Sequence, residues 1–280
     1  MSTASVPPDS PSLIVITPEG ASHSWRELWA YRELLAFTVW RDLRVRYRQT
    51  LLGAAWAVIQ PFTTMVVFSL FFGRLAGMPS DGAPYPIFSY AALVPWTYFA
   101  TAVGQGAGAL VGSQQLLSKV YFPRILIPCG AVLVPLVDAG VALGLLAVLM
   151  AWYGIVPGPA LVALPAFALL AVAAALAAAV WLAALNVQYR DVRFVVPFLV
   201  QFWLFVTPVA YPTSLVPEAW RPIYALNPMA TVVDGFRWAL LDTPAPTPAM
   251  VVASTMATVV GMGLAARTFA RMERTFADVV

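Results

Sequence analysis

The chain has 280 residues, of which 61% are hydrophobic and only 10% are charged, with a formal net charge of +3. Because soluble domains carry about 25% charged residues, so few charges cannot form a water-soluble surface around the apolar remainder. The composition excludes an ordinary soluble domain and predicts that lipid surrounds most of the chain.

The first 50 residues are predicted to lie outside the membrane core. Residues 1–23 are expected to be flexible, and they lack the early basic residues of a cleaved signal peptide. Ser24 with Glu27 forms a capping box, which begins a predicted amphipathic helix over residues 24–50. Its tryptophans and arginines fall on different faces, which is typical of an interfacial helix in the headgroup plane.

Six apolar runs follow, each close to the roughly 20 residues that a bilayer requires. They predict that residues 51–270 form a six-span domain. The predicted spans are residues 51–72, 87–111, 125–152, 160–185, 194–211 and 249–266. Asp138 lies deep in the third span, where burial of a carboxylate is costly, so we expect it to face protein or water or to be protonated. We expect it to form an interhelical hydrogen bond, which either affects gating or is purely structural.

The orientation of the spans follows from the distribution of Lys and Arg. Arg74, Arg221 and Arg237 fall on one side of the predicted spans, whereas the other 13 of the 16 basic residues fall on the opposite side. This asymmetry predicts that both termini are cytoplasmic, with residues 271–280 as a cytoplasmic tail.

Small residues in two spans predict close helix packing. Gly104, Gly108 and Gly112 form one row along the second span, and residues 171–179 of the fourth span are rich in alanine. Small residues four apart let helix backbones approach one another. Both groups are therefore predicted to pack against neighbouring helices.

A proline-punctuated segment, residues 212–248, precedes the last span. Residues 217–226 predict one short amphipathic helix, and Asn227 followed by Pro228 predicts the cap and first turn of a second helix. Since both helices are too short to cross a bilayer, we predict a re-entrant helical pair at the outer leaflet.

The sequence shows no catalytic or cofactor-binding pattern. Cys129 is the only cysteine and His23 the only histidine, which leaves no Cys/His metal set. Lys119 is the only lysine, and it lies outside any G-x-x-x-x-G-K-[ST] loop. We therefore expect no catalytic residue, metal or cofactor in this chain, and we expect another chain to supply the energy for any uphill transport.

Short motifs spread along the chain resemble those of one family. They are Arg46–Trp56, Lys119–Arg124, Asn186–Val192, Thr207–Pro212 and Asn227–Met229. In this order and spacing they resemble the ABC-2 permeases that export O-antigen, capsule-type polysaccharide or teichoic acid. The resemblance covers about residues 25–270.

The resemblance implies an all-α protein of the bacterial inner membrane that works as a homodimer. It also implies two copies of a separate ABC ATPase subunit, which bind ATP and Mg²⁺ at the cytoplasmic face. The implied substrate is a lipid-linked glycan threaded between the two protomers, and nucleic acid is not an expected partner.

The loop before the third span corresponds to the coupling helix that docks into the ATPase in this family. The loop before the fifth span is a candidate for a second contact. The implied coupling residues are Gln115, Leu116, Lys119, Tyr121, Phe122, Arg124, Tyr189, Arg190 and Asp191. The alternative is an ordinary helical connection in the first loop and a weak surface ion pair in the second.

Aromatic and polar residues at helical spacing mark one face of the first span and one face of the fifth. The resemblance implies that these two spans line the channel, where rings and amides could hold the apolar faces and hydroxyl edges of sugars. The candidate channel residues are Trp56, Gln60, Thr64, Phe71, Phe198, Gln201, Phe202 and Phe205. The alternative is that the aromatics pack against lipid or another helix.

The re-entrant pair corresponds to an extracytoplasmic gate in the same family. Its candidate residues are Trp220, Tyr224, Asn227, Phe236 and Arg237. The alternative is a surface lid that only shields the ends of the spans.

These motifs favour the permease of a lipid-linked polysaccharide exporter. An ABC-2 permease for a drug or a small lipid would share the fold without requiring a wide channel. A membrane-embedded transferase would need a carboxylate or basic cluster at the membrane edge, which the sequence lacks. A non-transport scaffold would leave the cytoplasmic motifs without a role.

Overall fold

The computed structural model describes residues 29–48, 55–113 and 122–273. Within these ranges every regular element is a helix, which confirms the all-α prediction. The predicted flexible segment at residues 1–23 and the end of the predicted tail lie outside the described residues.

The described α-helices are numbered here in chain order. They are α1 (Arg32–Arg48), α2 (Trp56–Phe68), α3 (Tyr85–Gly112), α4 (Leu126–Leu133), α5 (Pro135–Trp152), α6 (Leu164–Gln188), α7 (Val192–Val206), α8 (Arg221–Tyr224), α9 (Pro228–Leu241) and α10 (Pro248–Met272). Helix α2 continues as π-helical turns over Ser69–Leu75, and 3₁₀ turns precede α6 and α8 at Pro159–Ala163 and Glu218–Trp220.

Five helical stretches are long and apolar enough to cross a bilayer. They are Trp56–Leu75, Tyr85–Gly112, Leu126–Trp152, Pro159–Gln188 and Pro248–Met272. They coincide with five of the six predicted spans. The helix of the remaining span, α7, has 15 residues, and at about 1.5 Å per residue it is shorter than a hydrocarbon core of roughly 30 Å.

Helix α7 ends earlier than predicted because of the local sequence. Thr207 follows the helix in an extended conformation, with φ −96° and ψ 140°. The next residue is Pro208, and proline disfavours helical geometry in the residue before it.

The core is built around α3, which packs against α2, α4, α5, α6, α7 and α9. Its most extensive partner is α6, where the predicted alanine-rich stretch is mostly buried. A Cβ added at Gly106 would lie 2.5 Å from the Cβ of Ala179, so only glycine fits between these two helices. The packing prediction for the fourth span is confirmed.

The packing prediction for the glycine row of α3 is wrong within the described part of the chain. A Cβ added at Gly104, Gly108 or Gly112 would meet no atom within 4 Å. Gly106, two residues along the helix from Gly104, points toward α6 instead. The row therefore faces open space.

Helix α1 packs against α4 through a small apolar contact, in which Leu35 lies 3.5 Å from the position of a Cβ at Gly130. The opposite face leaves Trp40 55% exposed, with the Arg44 guanidinium 4.9 Å from its ring centroid. Trp40 and Arg44 are four residues apart and share a face, so the prediction that tryptophans and arginines lie on different faces is wrong for this pair. An interfacial position for this helix remains a prediction.

The two predicted short helices before the last span both form. The first is the 3₁₀ turn Glu218–Trp220 followed by α8, and the second is α9. The side chain of Asn227 accepts a hydrogen bond from the backbone N–H of Met229 at 3.1 Å. The predicted cap is therefore confirmed. The sequence could predict it because a helix cap depends on adjacent residues.

Candidate translocation surface

The predicted channel residues on α2 and α7 lie on faces that point away from the core. Residues Trp56, Phe71, Phe198, Phe202 and Phe205 are between 54% and 69% exposed. Within α7, Val196 is the only buried residue. Each of these helices therefore presents a large aromatic face outside the chain.

A groove of about 430 Å³ runs over α3 between α2 and α7. Gln60 on α2 and Gln201 on α7 both line it, and Gly104 and Gly108 form its floor. We call it the glycine-floored groove. The structure thus brings the two predicted channel glutamines to one site. The third polar candidate, Thr64, instead donates its hydroxyl to the backbone carbonyl of Gln60 at 3.0 Å within α2.

A second cavity, of about 250 Å³, lies between the end of α1 and helices α2, α3 and α5. We call it the polar cavity and define it by its charged and hydrogen-bonding residues. They are Arg46, Tyr47, Gln60, Thr97, Thr101 and Asp138. The sequence singled out Gln60 and Asp138 but did not indicate that they share a cavity.

Asp138 is bound by two residues of α1. The guanidinium of Arg46 lies 2.6 Å from its carboxylate, and the hydroxyl of Tyr47 donates to the same group. The predicted interhelical hydrogen bond of Asp138 is therefore confirmed. Burial and the bond to Asp138 raise the pKa of Tyr47 to about 12, so this phenol remains a donor at neutral pH.

Arg237 on α9 is 2% exposed and is enclosed by backbone carbonyls. Its guanidinium donates to the carbonyls of Pro208 at 2.6 Å, Val209 at 2.8 Å and Phe88 at 3.1 Å. It also lies 3.5 Å from the ring centroid of Phe88. Arg237 thereby provides hydrogen-bond donors for backbone carbonyls of the non-helical residues 207–211, which follow α7.

Asn227 holds the same end of α7 from a second direction. Its side chain accepts a hydrogen bond from the Trp203 indole at 3.0 Å and donates to the Thr207 hydroxyl at 3.1 Å. Together with Arg237, it anchors the C-terminal end of α7.

The predicted gate residues divide between the surface and the core. Trp220 is 61% exposed, whereas Phe236 is 4% exposed. The hydroxyl of Tyr224 lies 2.9 Å from that of Tyr211. Asn227 and Arg237 belong to the anchor of α7, so the surface part of the candidate gate is centred on Trp220 and Tyr224.

The predicted coupling residues are only partly described. Gln115, Leu116, Lys119 and Tyr121 lie outside the described residues. Phe122 is buried in a cluster with α4, α6 and α10, and Arg124 donates to the carbonyl of Glu273 at 3.4 Å.

The second predicted ATPase contact lies in the short connection between α6 and α7. Tyr189, Arg190 and Asp191 are exposed there. Arg190 and Asp191, both described, form no ion pair with each other. Their side chains are therefore accessible to a partner.

The long apolar helices and the polar, glycine-lined surface define a polytopic α-helical membrane protein. The sequence profile of the ABC-2 type transporter family matches residues 33–241, which is most of the chain. The chain belongs to this family, and the family expected from the motifs is confirmed.

Named relatives match this chain over most of its length. The chain is 34% identical over 257 residues to the O-antigen export system permease protein RfbA of Myxococcus xanthus, covering 91% of this chain and 98% of the relative. Two Klebsiella pneumoniae proteins of the same name are 25% and 23% identical over 206 residues, covering 73% of this chain and 79% of each relative.

Proposed function

We propose that this chain is the membrane subunit of an exporter that moves a lipid-linked polysaccharide of the O-antigen type across the bacterial inner membrane. The observation that carries the proposal is the 34% identity over 98% of a relative named as an O-antigen export permease. The exposed aromatic faces and the amides of the glycine-floored groove support a sugar polymer as substrate, because rings pack on apolar sugar faces and amides bond to hydroxyls.

In this proposal the chain crosses the membrane six times, with α7 as the fifth crossing. Residues 207–211 complete the distance that α7 does not cover. Non-helical backbone is tolerated at membrane depth where protein groups satisfy it, and Arg237 donates to this backbone. The distribution of basic residues then puts both termini in the cytoplasm.

The functional unit is a homodimer, with α2 and α7 of one protomer facing their counterparts. The exposed aromatic side chains of α2 and α7 support this arrangement, and one protomer offers only an open groove. A second copy would close this surface into a channel. The pair α8 and α9 would form the outer gate, with Trp220 and Tyr224 at its surface.

The energy for export comes from two copies of a separate ATPase, which hold ATP and Mg²⁺. The loop with Gln115, Leu116, Lys119 and Tyr121 and the exposed residues Tyr189–Asp191 are the proposed contacts. Exposure of the Tyr189–Asp191 connection supports this assignment.

The proposed function can be tested by deleting the gene in its own host. In the deletion strain, we expect lipid-linked glycan to accumulate at the inner face of the membrane and to be lost from the cell surface. The wild-type chain should restore the surface glycan. Normal surface glycan in the deletion strain, with no accumulation inside, would contradict the proposal. A control strain lacking an unrelated transporter should keep its surface glycan.

A further inference from the structure

We propose that the polar cavity binds one neutral sugar unit of the exported glycan and delivers it to the glycine-floored groove. This inference rests on the proposed function. It adds a binding site, formed with residues of α1 and α5, inside each protomer.

Three hydrogen-bonding side chains on the wall of the polar cavity are available to a ligand. Gln60, Thr97 and Thr101 make no side-chain hydrogen bond to any described residue. Elsewhere in the chain, helical threonines such as Thr38 and Thr255 donate to the carbonyl four residues earlier. Gln60 is exposed and Thr97 and Thr101 are half-buried, so these three side chains can bond to a ligand rich in hydroxyl groups.

The charges of the polar cavity favour a neutral ligand over a phosphate. Among the described residues that line it, Arg46 and Asp138 alone are charged, and they form an ion pair at 2.6 Å. A phosphate would compete with Asp138 for the guanidinium and would lie beside a carboxylate, which repels it. A sugar hydroxyl can donate to Asp138 and accept from Arg46 at the same time.

The size of the polar cavity suits a single sugar ring. A volume of about 250 Å³ holds about eight water molecules at roughly 30 Å³ each, so one hexose with a few waters would fill it. Trp56 also lines the cavity and offers an aromatic surface to the apolar face of the ring.

The polar cavity and the glycine-floored groove adjoin one another, because Gln60 and Thr101 line both. Asn186 adds a buried amide to the groove, since it is 7% exposed and donates to a backbone carbonyl of α3 at 2.8 Å. Its amide oxygen accepts no bond from the described residues. Gly104 and Gly108 leave room for a chain of sugars above the backbone of α3.

The glycine row permits variants whose Cβ meets no neighbour inside the protomer. A Cβ added at Gly104 or Gly108 would have no atom within 4 Å, and the same holds at Gly140 and Gly144 of α5, which line neither the cavity nor the groove. Gly104→Leu and Gly108→Leu are therefore the test variants. Gly140→Leu and Gly144→Leu are the matched controls.

The measurement is surface glycan in the deletion strain carrying each variant, normalised to the amount of chain in the membrane. We expect Gly108→Leu to lower surface glycan about ten-fold or more, because its side chain occupies the space of a sugar unit. Gly140→Leu should export like the wild type. Equal export by the groove variants and the α5 controls would overturn this proposal.

A second pair of variants tests the ligand class. Thr101→Val keeps the side-chain shape and removes a hydroxyl, so we expect export to fall about five-fold, as for one lost hydrogen bond. Asp138→Asn should also lower export of a neutral glycan, whereas a phosphate-binding cavity would gain from the loss of the carboxylate. Increased export in Asp138→Asn would overturn the neutral class.

The export assay separates failure of the proposed function from failure of the sugar site. A wild-type chain that does not restore surface glycan would overturn the proposed function and this inference with it. A wild-type chain that exports, together with groove and cavity variants that export equally well, would overturn this inference alone.

Discussion

Arg237 carries a positive charge in the interior of the chain, where backbone carbonyls and an aromatic ring enclose it. Burial lowers its pKa to about 10, with Asp234 opposing the shift, so the guanidinium stays protonated at neutral pH. Its partners include a carbonyl 149 positions away in the chain. Sequence patterns are local, which is why the sequence indicated a gate residue here and not this anchor.

Removal of the Arg237 guanidinium should destabilise the chain strongly. Arg237→Met keeps much of the side-chain length but leaves the carbonyls of Pro208 and Val209 without a donor, and we expect a loss of about 3–5 kcal/mol. The measurement is thermal unfolding in detergent. Arg221→Met is the control, because Arg221 is exposed and makes a surface pair with Glu218, which contributes about 0–1 kcal/mol, and one exposed hydrogen bond to the carbonyl of Val216 at 3.2 Å. Equal effects of the two variants would contradict this role of Arg237.

A single methyl group should distinguish the two kinds of glycine in α3. Gly106→Ala places a Cβ 2.5 Å from that of Ala179, and we expect a loss of about 1–3 kcal/mol from overpacking. Gly104→Ala meets open space and should be neutral or slightly stabilising because alanine favours the helix. The same unfolding assay measures both, and a stable Gly106→Ala chain would refute the close contact of α3 with α6.

At the scale of elements, the apolar runs predicted most helices to within a few residues. The second run, residues 87–111, became Tyr85–Gly112, and the cap of α9 followed from Asn227 with Pro228. These signals are local. The glycine row was misread, because periodicity shows that residues share a face but does not show what that face meets.

The sequence did not predict the ion pair between α1 and α5, because Arg46 and Asp138 are distant in the chain and come together only in the fold. A double-mutant cycle tests its strength. Arg46→Asp and Asp138→Arg each place like charges together and should destabilise the chain, and the double exchange should recover about 0.5–3 kcal/mol of coupling.

The exposed pair Arg41–Asp42 is the matched control for that cycle. Its atoms lie 2.9 Å apart, but its side chains are 43% and 36% exposed, so its coupling should be about 0–1 kcal/mol. A coupling for Arg46 and Asp138 no larger than this value would show that the ion pair does not hold α1 against α5.

At the scale of the whole molecule, cross-linking through the exposed aromatic face of α7 tests whether the chain forms the proposed homodimer. In a background with Cys129 replaced by Ser, we expect Phe198→Cys to cross-link two protomers in native membranes. Val259→Cys in α10 is the control, because Val259 is also exposed, at 65%, on a helix outside the proposed interface. Cross-linking at both positions or at neither would contradict the proposed arrangement.

The fold and the family were accessible from the sequence because a bilayer imposes simple rules on length, apolarity and charge. The polar cavity was not, because its residues come from four helices and only packing brings them together. The channel residues were found in part, since Gln60 and Gln201 share the groove while the phenylalanines face outward.

In the proposed function, ATP hydrolysis in a partner subunit responds to the glycan. The most direct measurement is the ATPase rate of this chain purified together with a candidate ABC ATPase subunit from the same host, in nanodiscs, with and without undecaprenyl-linked glycan. The account predicts that the two proteins co-purify and that the glycan raises the rate several-fold. Failure of any ATPase subunit to bind this chain, or a rate that the glycan leaves unchanged, would contradict it.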